Sequence, residues 1–176
     1  NLPGSLAAPK CFAIVEQPGE EVWLWLEEVT DEVGSQWPLE CYGIAARHLG
    51  QFNGAYLAGQ PLPSYPWLSR GGMRTPPPFV RDRAASGIAQ LRSSSEHPLV
   101  QRWFPTGSID RLLRLWEKRD MLLDALGRLS PTLCHHDAFR RNLFMRHNVD
   151  GRDQTVAIDW AFVGTGMIGE EIVTLV

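Results

Sequence analysis

His135-His136-Asp137-Ala138-Phe139-Arg140-Arg141-Asn142-Leu143-Phe144-Met145 is followed, after a polar turn over residues 147–153, by Thr155-Val156-Ala157-Ile158-Asp159-Trp160. Two short apolar runs, 143–145 and 155–158, flank a turn that holds Asp150-Gly151, so the stretch reads as a β-hairpin. Its polar residues gather at the strand ends. One aspartate, one asparagine and two arginines within eight residues are expensive to bury unless they bond one another or a ligand. A hairpin returns the chain on itself, so Asp159 is expected beside Asn142.

Outward from this hairpin the chain reads mainly as helices. Residues 38–57 predict a helix, with Pro38 suited to its first turn and Leu39, Tyr42, Ala46, Leu49, Phe52 and Tyr56 forming one apolar face. Gly43, Gly50 and Gly54 weaken that helix by about 1 kcal/mol each, at a spacing that would permit close helix packing. Residues 60–78 hold six prolines and Gly71-Gly72, which argues for loop throughout. Residues 79–91 predict a second helix. A long third one is expected over 108–126, capped by Ser108 and closed by Gly127. Near the start, residues 11–15 and 21–26 read as two strands around Pro18-Gly19.

Composition excludes several classes. The 176 residues suffice for a sizeable core, with 44% hydrophobic and 21% charged residues. A net charge of -3 does not suit a nucleic-acid partner. No run approaches the roughly 18 apolar residues of a membrane span, and residues 1–9 lack the pattern of a signal peptide. Cys11, Cys41 and Cys134 are odd in number and widely spaced, which suits reduced thiols in a cytoplasmic protein rather than a disulfide or zinc framework. Adjacent His135 and His136 would point to opposite sides of a strand, which disfavours a metal-hydrolase centre.

Phosphoryl transfer needs a carboxylate to take the proton of an incoming hydroxyl, and hard oxygen ligands for magnesium on the nucleotide phosphates. In protein kinases these parts occur as an aspartate, an asparagine five residues later, a hairpin and a second aspartate. Asp137, Asn142 and Asp159 stand in that order with that five-residue step. With Ile158-Asp159-Trp160 and the leading His135, the pattern resembles the aminoglycoside phosphotransferase and choline kinase family. The resemblance implies a protein-kinase-like α+β fold, here mainly the helical C-terminal lobe with a short β-hairpin at the active site. It implies ATP and Mg2+ as cofactors and a small-molecule hydroxyl as acceptor. Carried over by position, Asp137 is the expected catalytic base, Asn142 and Asp159 the metal ligands, and His135 a structural residue. Leu24-Trp25-Leu26-Glu27-Glu28-Val29 resembles the hinge, where Glu27 and Val29 would hold the adenine.

The sequence also departs from the family. His136 stands where glycine is usual, and Arg140-Arg141 where Pro-Gly or a similar pair is usual; an arginine there could contact phosphate. Glu170-Glu171-Ile172 is the nearest analogue of the acidic residue that follows Asp159. The only lysines, Lys10 and Lys118, do not sit where the nucleotide lobe carries its lysine. Residues 1–29 therefore read as a remnant of N-lobe strands and hinge, and 30–176 as the C-lobe, within what reads as part of a longer protein. The missing lobe also motivates an alternative: a catalytically inactive kinase-like binding or regulatory module. Trp23 and Trp25 are expected in a core, and Trp67 could border a cleft. Glu27, Glu28, Asp31 and Glu32 read as a solvated acidic face.

Overall fold

A computed structural model of the chain describes residues 2–72, 76 and 78–175. Both chain ends, Asn1 and Val176, and residues 73–75 and 77 of the proline-rich segment lie outside the described residues. Contacts divide the chain into two units, Asn1–Arg70 with Ser130–Val176 and Gly71–Leu129.

The first unit contains the apolar core. Helix α1 (Leu39–Leu57) buries Cys41, Ala45, His48, Leu49, Phe52 and Asn53. The buried face is thus rotated from the expected stripe: Leu39 is exposed, while Tyr42, Ala46 and Tyr56 are half-buried. Two polar residues turn inward because each has a partner across the interface. His48 Nδ1 lies 2.9 Å from Thr155 Oγ1, and Asn53 Nδ2 donates to the Leu133 carbonyl at 2.7 Å. Burial lowers the His48 pKa and favours the neutral ring. The helix glycines do not serve close packing, since a Cβ at Gly43, Gly50 or Gly54 would meet nothing within 4 Å.

Strands β1 (Leu6–Ala7), β6 (Leu143–His147) and β7 (Asp153–Ala157) form one sheet in the order β1-β7-β6. β1 pairs parallel to β7, and β6 with β7 is the expected hairpin, with Leu143 opposite Ala157. A second sheet orders β4 (Ser69–Arg70), β8 (Gly164–Met167) and β5 (Pro131–Cys134) as β4-β8-β5. β4 falls inside the segment expected to be loop throughout. Its two residues escape the proline restriction because Leu68, Ser69 and Arg70 separate Trp67 from the glycines. Leu6, Phe52, Leu133, Leu143, Ala157 and Leu175 share the core, the last from α6 (Ile172–Leu175).

β2 (Cys11–Glu16) and β3 (Val22–Leu26) form the antiparallel hairpin read from the sequence, turning at Gly19 with φ 86°. Every residue of both strands is exposed. Trp23 and Trp25 are more than half exposed, at 53% and 57%, so the expectation of core packing fails. A two-stranded ribbon has only two faces, and among the described residues neither is covered.

In the second unit, α2 (Pro78–Ser93), α3 (Pro98–Trp103), α4 (Ser108–Glu117) and α5 (Arg119–Leu126) contain no buried residue. The expected single helix over 108–126 breaks at Lys118, whose φ of -96° and ψ of 4° leave the helical region. Gly107, not Ser108, takes the N-cap, with φ 78°. Arg119 stacks on Trp116 at 4.6 Å, just across the break. Among the described residues, no helix is long and apolar enough to cross a membrane.

Candidate active site

Strand β5 delivers the chain into the loop at Cys134, and β6 carries it away from Leu143. His135 is fully buried between them. Its Nδ1 accepts the Asp137 N–H at 3.2 Å, so Nε2 carries the proton and donates to the Ile158 carbonyl at 2.9 Å. Burial lowers the His135 pKa, in keeping with this neutral tautomer. The ring packs against Trp160 at 4.4 Å. One buried imidazole thus connects the loop before Asp137 to the backbone just before Asp159.

Asp137 and Asn142 meet directly. Asn142 Nδ2 donates to Asp137 Oδ2 at 2.6 Å and to the Asp137 carbonyl at 2.9 Å. A short 3-10 turn over Arg140–Asn142 makes this contact possible across five residues. With both amide hydrogens committed, the remaining polar atom of Asn142 is its oxygen Oδ1. The Asn142 carbonyl accepts the Ile158 N–H at 2.9 Å, which sets Asp159 beside Asn142 as the hairpin predicts. Asp159 is exposed and has φ 58°, a conformation costing about 1–3 kcal/mol for a non-glycine residue. An exposed carboxylate and an amide oxygen are hard donors of the kind magnesium prefers, so these residues fit that metal. Among the described residues no group of three or more metal-binding side chains exists, so such an ion would take its other ligands from substrate and water.

His136 has φ 65°, which explains why glycine suits this position in the family it resembles. Its Nδ1 lies 3.1 Å from the Phe162 carbonyl, and Nε2 lies 3.4 Å from Glu170 Oε2, an ion-pair rather than hydrogen-bond separation. Burial pulls the His136 pKa down, but Glu170, the Phe162 carbonyl and Glu171 together raise it. Gly166 makes room for this pair: a Cβ there would overlap His136 Nε2 and come within 2.7 Å of Glu170 Oε2. Glu171 Oε1 accepts the backbone N–H groups of His135 and His136. Burial raises the Glu171 pKa despite these donors. Glu170-Glu171 thus engages the loop, although its distance from Asp159 makes it an irregular match to the family motif.

The two arginines have different roles. Arg140 donates to Asp31 Oδ2 and the Gly34 carbonyl, both at 2.7 Å, and to the Leu143 carbonyl at 2.8 Å. Its guanidinium lies 3.9 Å from the centre of the Trp37 ring. Arg141 is largely exposed, donates to Asp137 Oδ1 at 3.4 Å and lies 4.3 Å from the centre of the Phe139 ring.

The acidic run after β3 is a solvated face only in part, at exposed Glu28 and Glu32. Glu27 Oε1 accepts Arg146 Nη1 at 2.7 Å, Asp31 holds Arg140, and Glu32 Oε2 lies 2.7 Å from His147 Nδ1. These carboxylates fasten residues 27–32 to the loop over 135–142 and to β6. The Glu27 N–H donates to the Lys10 carbonyl at 2.8 Å, closing the hairpin at the expected hinge. The Lys10 N–H, which donates to Glu27 Oε2 at 3.0 Å, and Arg146 keep the Glu27 pKa low. Val29, the other expected hinge residue, lies in the irregular segment after β3. Lys10 lies over Phe12, and Trp67 stacks on Tyr65 with both rings exposed.

Sequence reasoning missed the Asp31–Arg140–Trp37 cluster and the grip of Glu171 on the loop amides. Both span more than 30 residues of chain, and the signal available for them was the set of departures from the family motif.

No curated protein matches the chain. Among solved structures, the GDP and kanamycin complex of aminoglycoside phosphotransferase APH(2'')-IIIa is similar in fold, with a TM-score of 0.54 at 15% identity over 97% of this chain. The chain spans 55% of the length of that protein. The likeness shows the protein-kinase-like fold, as mixed helices and small sheets. The profile of the phosphotransferase enzyme family matches residues 2–176, and the chain belongs to that family.

Proposed function

We propose that the complete protein transfers the γ-phosphoryl group of ATP to a hydroxyl of a small molecule, with magnesium held by Asn142 and Asp159. One observation carries this reading: Asp137, Asn142 and Asp159 come together through the Asn142–Asp137 hydrogen bonds and the Ile158–Asn142 backbone bond. Asp137 Oδ2 is fixed by Asn142, so Oδ1 is the oxygen that accepts the hydroxyl proton. His135 and Glu171 hold the loop backbone, which orients that carboxylate before substrate arrives. Magnesium, when bound, neutralises phosphate charge as the bond to the leaving oxygen breaks. At the hinge, Glu27 would offer its carbonyl, its N–H being committed to Lys10, and Val29 would supply the other backbone contact to the base. The buried thiols of Cys41 and Cys134 suit a cytoplasmic setting.

The test is thermal unfolding with magnesium and ATP, beside an Asp159→Ala control. GTP is a second arm because the similar solved structure holds GDP. At about 100 times its dissociation constant, a nucleotide adds about 2.7 kcal/mol of stability. A magnesium-dependent shift that Asp159→Ala abolishes supports the reading. Asp137→Asn should keep the shift and lose turnover by about 10²-fold or more. A nucleotide shift independent of magnesium and Asp159, with no turnover, would favour the inactive binding module.

A further inference from the structure

The loop presents two adjacent arginines, and their surroundings differ in a way that assigns them separate tasks. Arg140 is turned away and held by Asp31, the Gly34 and Leu143 carbonyls and the Trp37 ring, with its Nε buried. Arg141 has one polar partner among the described residues, Asp137 Oδ1 at 3.4 Å, and its side chain is 65% exposed. The Asp137 side chain beneath it is only 11% exposed. The guanidinium therefore lies on the solvent side of the expected base. It sits at the oxygen that Asn142 leaves open. Phe139 holds the guanidinium from one face, leaving most of its five N–H groups for a ligand.

We propose that Arg141 is a catalytic residue whose guanidinium binds the oxygens of the phosphoryl group in transit. The inference rests on the phosphotransferase reading of this site. An acceptor hydroxyl bonded to Asp137 Oδ1 stands about 2.7 Å from it. The phosphoryl oxygens around that nucleophile then fall within hydrogen-bonding reach of a guanidinium 3.4 Å from the same carboxylate oxygen. In the step, the acceptor O–H yields its proton to Asp137 as the new O–P bond forms. The bond from the γ-phosphorus to the β,γ-bridging oxygen breaks, and the nucleoside diphosphate leaves with that electron pair. Arg141 transfers no proton. Its planar fork matches the charge spread over the equatorial oxygens, the chemistry an arginine supplies to phosphoryl transfer elsewhere.

A second anion could reach the same guanidinium, an acidic group on the acceptor, so the test omits acceptor. The full chain is titrated with magnesium and ADP, or GDP if the wild type binds only that, with and without aluminium fluoride as a mimic of the phosphoryl group in transit. Arg141→Ala should bind the diphosphate within about twofold of wild type and lose at least tenfold of the tightening that fluoride adds. Arg141→Lys should recover part of it. With water as acceptor, kcat should fall by about 10²–10³ while nucleotide KM changes little. Undiminished fluoride tightening in Arg141→Ala would overturn the proposal and leave an acidic acceptor group as the ligand. Equal losses for the diphosphate with and without fluoride would overturn it in favour of nucleotide anchoring. A wild type that binds no magnesium nucleotide would overturn the phosphotransferase reading and this proposal together. Asp159-dependent binding with Arg141→Ala unchanged would remove only the latter. Far-UV circular dichroism of the variants separates these results from unfolding.

Discussion

Arg140→Met removes three hydrogen bonds while keeping an apolar chain against Trp37. The bond to Asp31 joins two charges, at 2.7 Å, with side chains 23% and 11% exposed. A hydrogen bond to a charged group contributes about 1.5–3 kcal/mol and an ordinary one about 1. Partial exposure returns some of that to water, and the lost cation–π contact adds about 0.5–1 kcal/mol. The net expectation is a loss of about 3 kcal/mol. For a chain of this length each kcal/mol moves Tm by about 2–4 °C, so the shift should be about 6–12 °C downward. Urea unfolding of wild type, Arg140→Met, Asp31→Asn and the double variant gives the coupling directly. Asp31 also accepts Trp37 Nε1 at 2.9 Å and the Val33 N–H at 3.1 Å, so it keeps partners when Arg140 is gone. The coupling should be about 1.5 kcal/mol. A value within the roughly 0.3–0.5 kcal/mol expected of independent sites would refute the claim that Arg140 and Asp31 fasten the loop over 135–142 to residues 27–37.

Gly50→Ala should raise stability by up to about 1 kcal/mol in urea melts, because the site is helical, exposed and open on all sides to a Cβ. His136→Gln should flatten a pH dependence: the folded-state pKa is raised, so the stabilisation is complete below about pH 6.5 and fades as pH rises through the folded value. Neutral, buried His48 and His135 have lowered pKa values and work oppositely, losing stability as pH falls below about 6.5, so the variant is read as a difference from wild type. Thiol labelling of the native chain should modify Cys11 quickly and spare Cys134, which is fully buried and whose pKa burial raises; rapid loss of all three thiols would contradict the packing.

The loop over 135–142 was legible because its logic is local. A five-residue step closes through a 3-10 turn, and the Asp150-Gly151 turn returns the strand, so spacing alone set Asp137, Asn142 and Asp159 together. Strands β1 and β4 were not legible. Each is two residues long and exists only because a distant strand offers a partner, β7 for Leu6 and Ala7, β8 for Ser69 and Arg70. The phase of α1 was misjudged because apolar periodicity does not register His48 and Asn53, whose inward turn depends on Thr155 and Leu133 more than 70 residues away. Trp23 and Trp25 look like core residues by composition, yet among the described residues their hairpin gains no third strand and both side chains stay exposed. Glu27 and Asp31 of the acidic run were misjudged for the same reason as α1: their cations lie on β6 and the loop, over 100 residues on.

The crowding of His136, Glu170 and Gly166 has a consequence for the order in which this sequence can change. With histidine at 136, a Cβ at 166 meets both the imidazole and the Glu170 carboxylate, so a substitution there must displace two side chains at once. Glycine at 136 would relieve the positive φ and vacate the ring's space, leaving the Glu170 carboxylate as the group a small residue at 166 must displace. The two positions therefore favour one order: 166 grows at lower cost once 136 has become small. A mutational walk that begins at 166 takes the costlier first step.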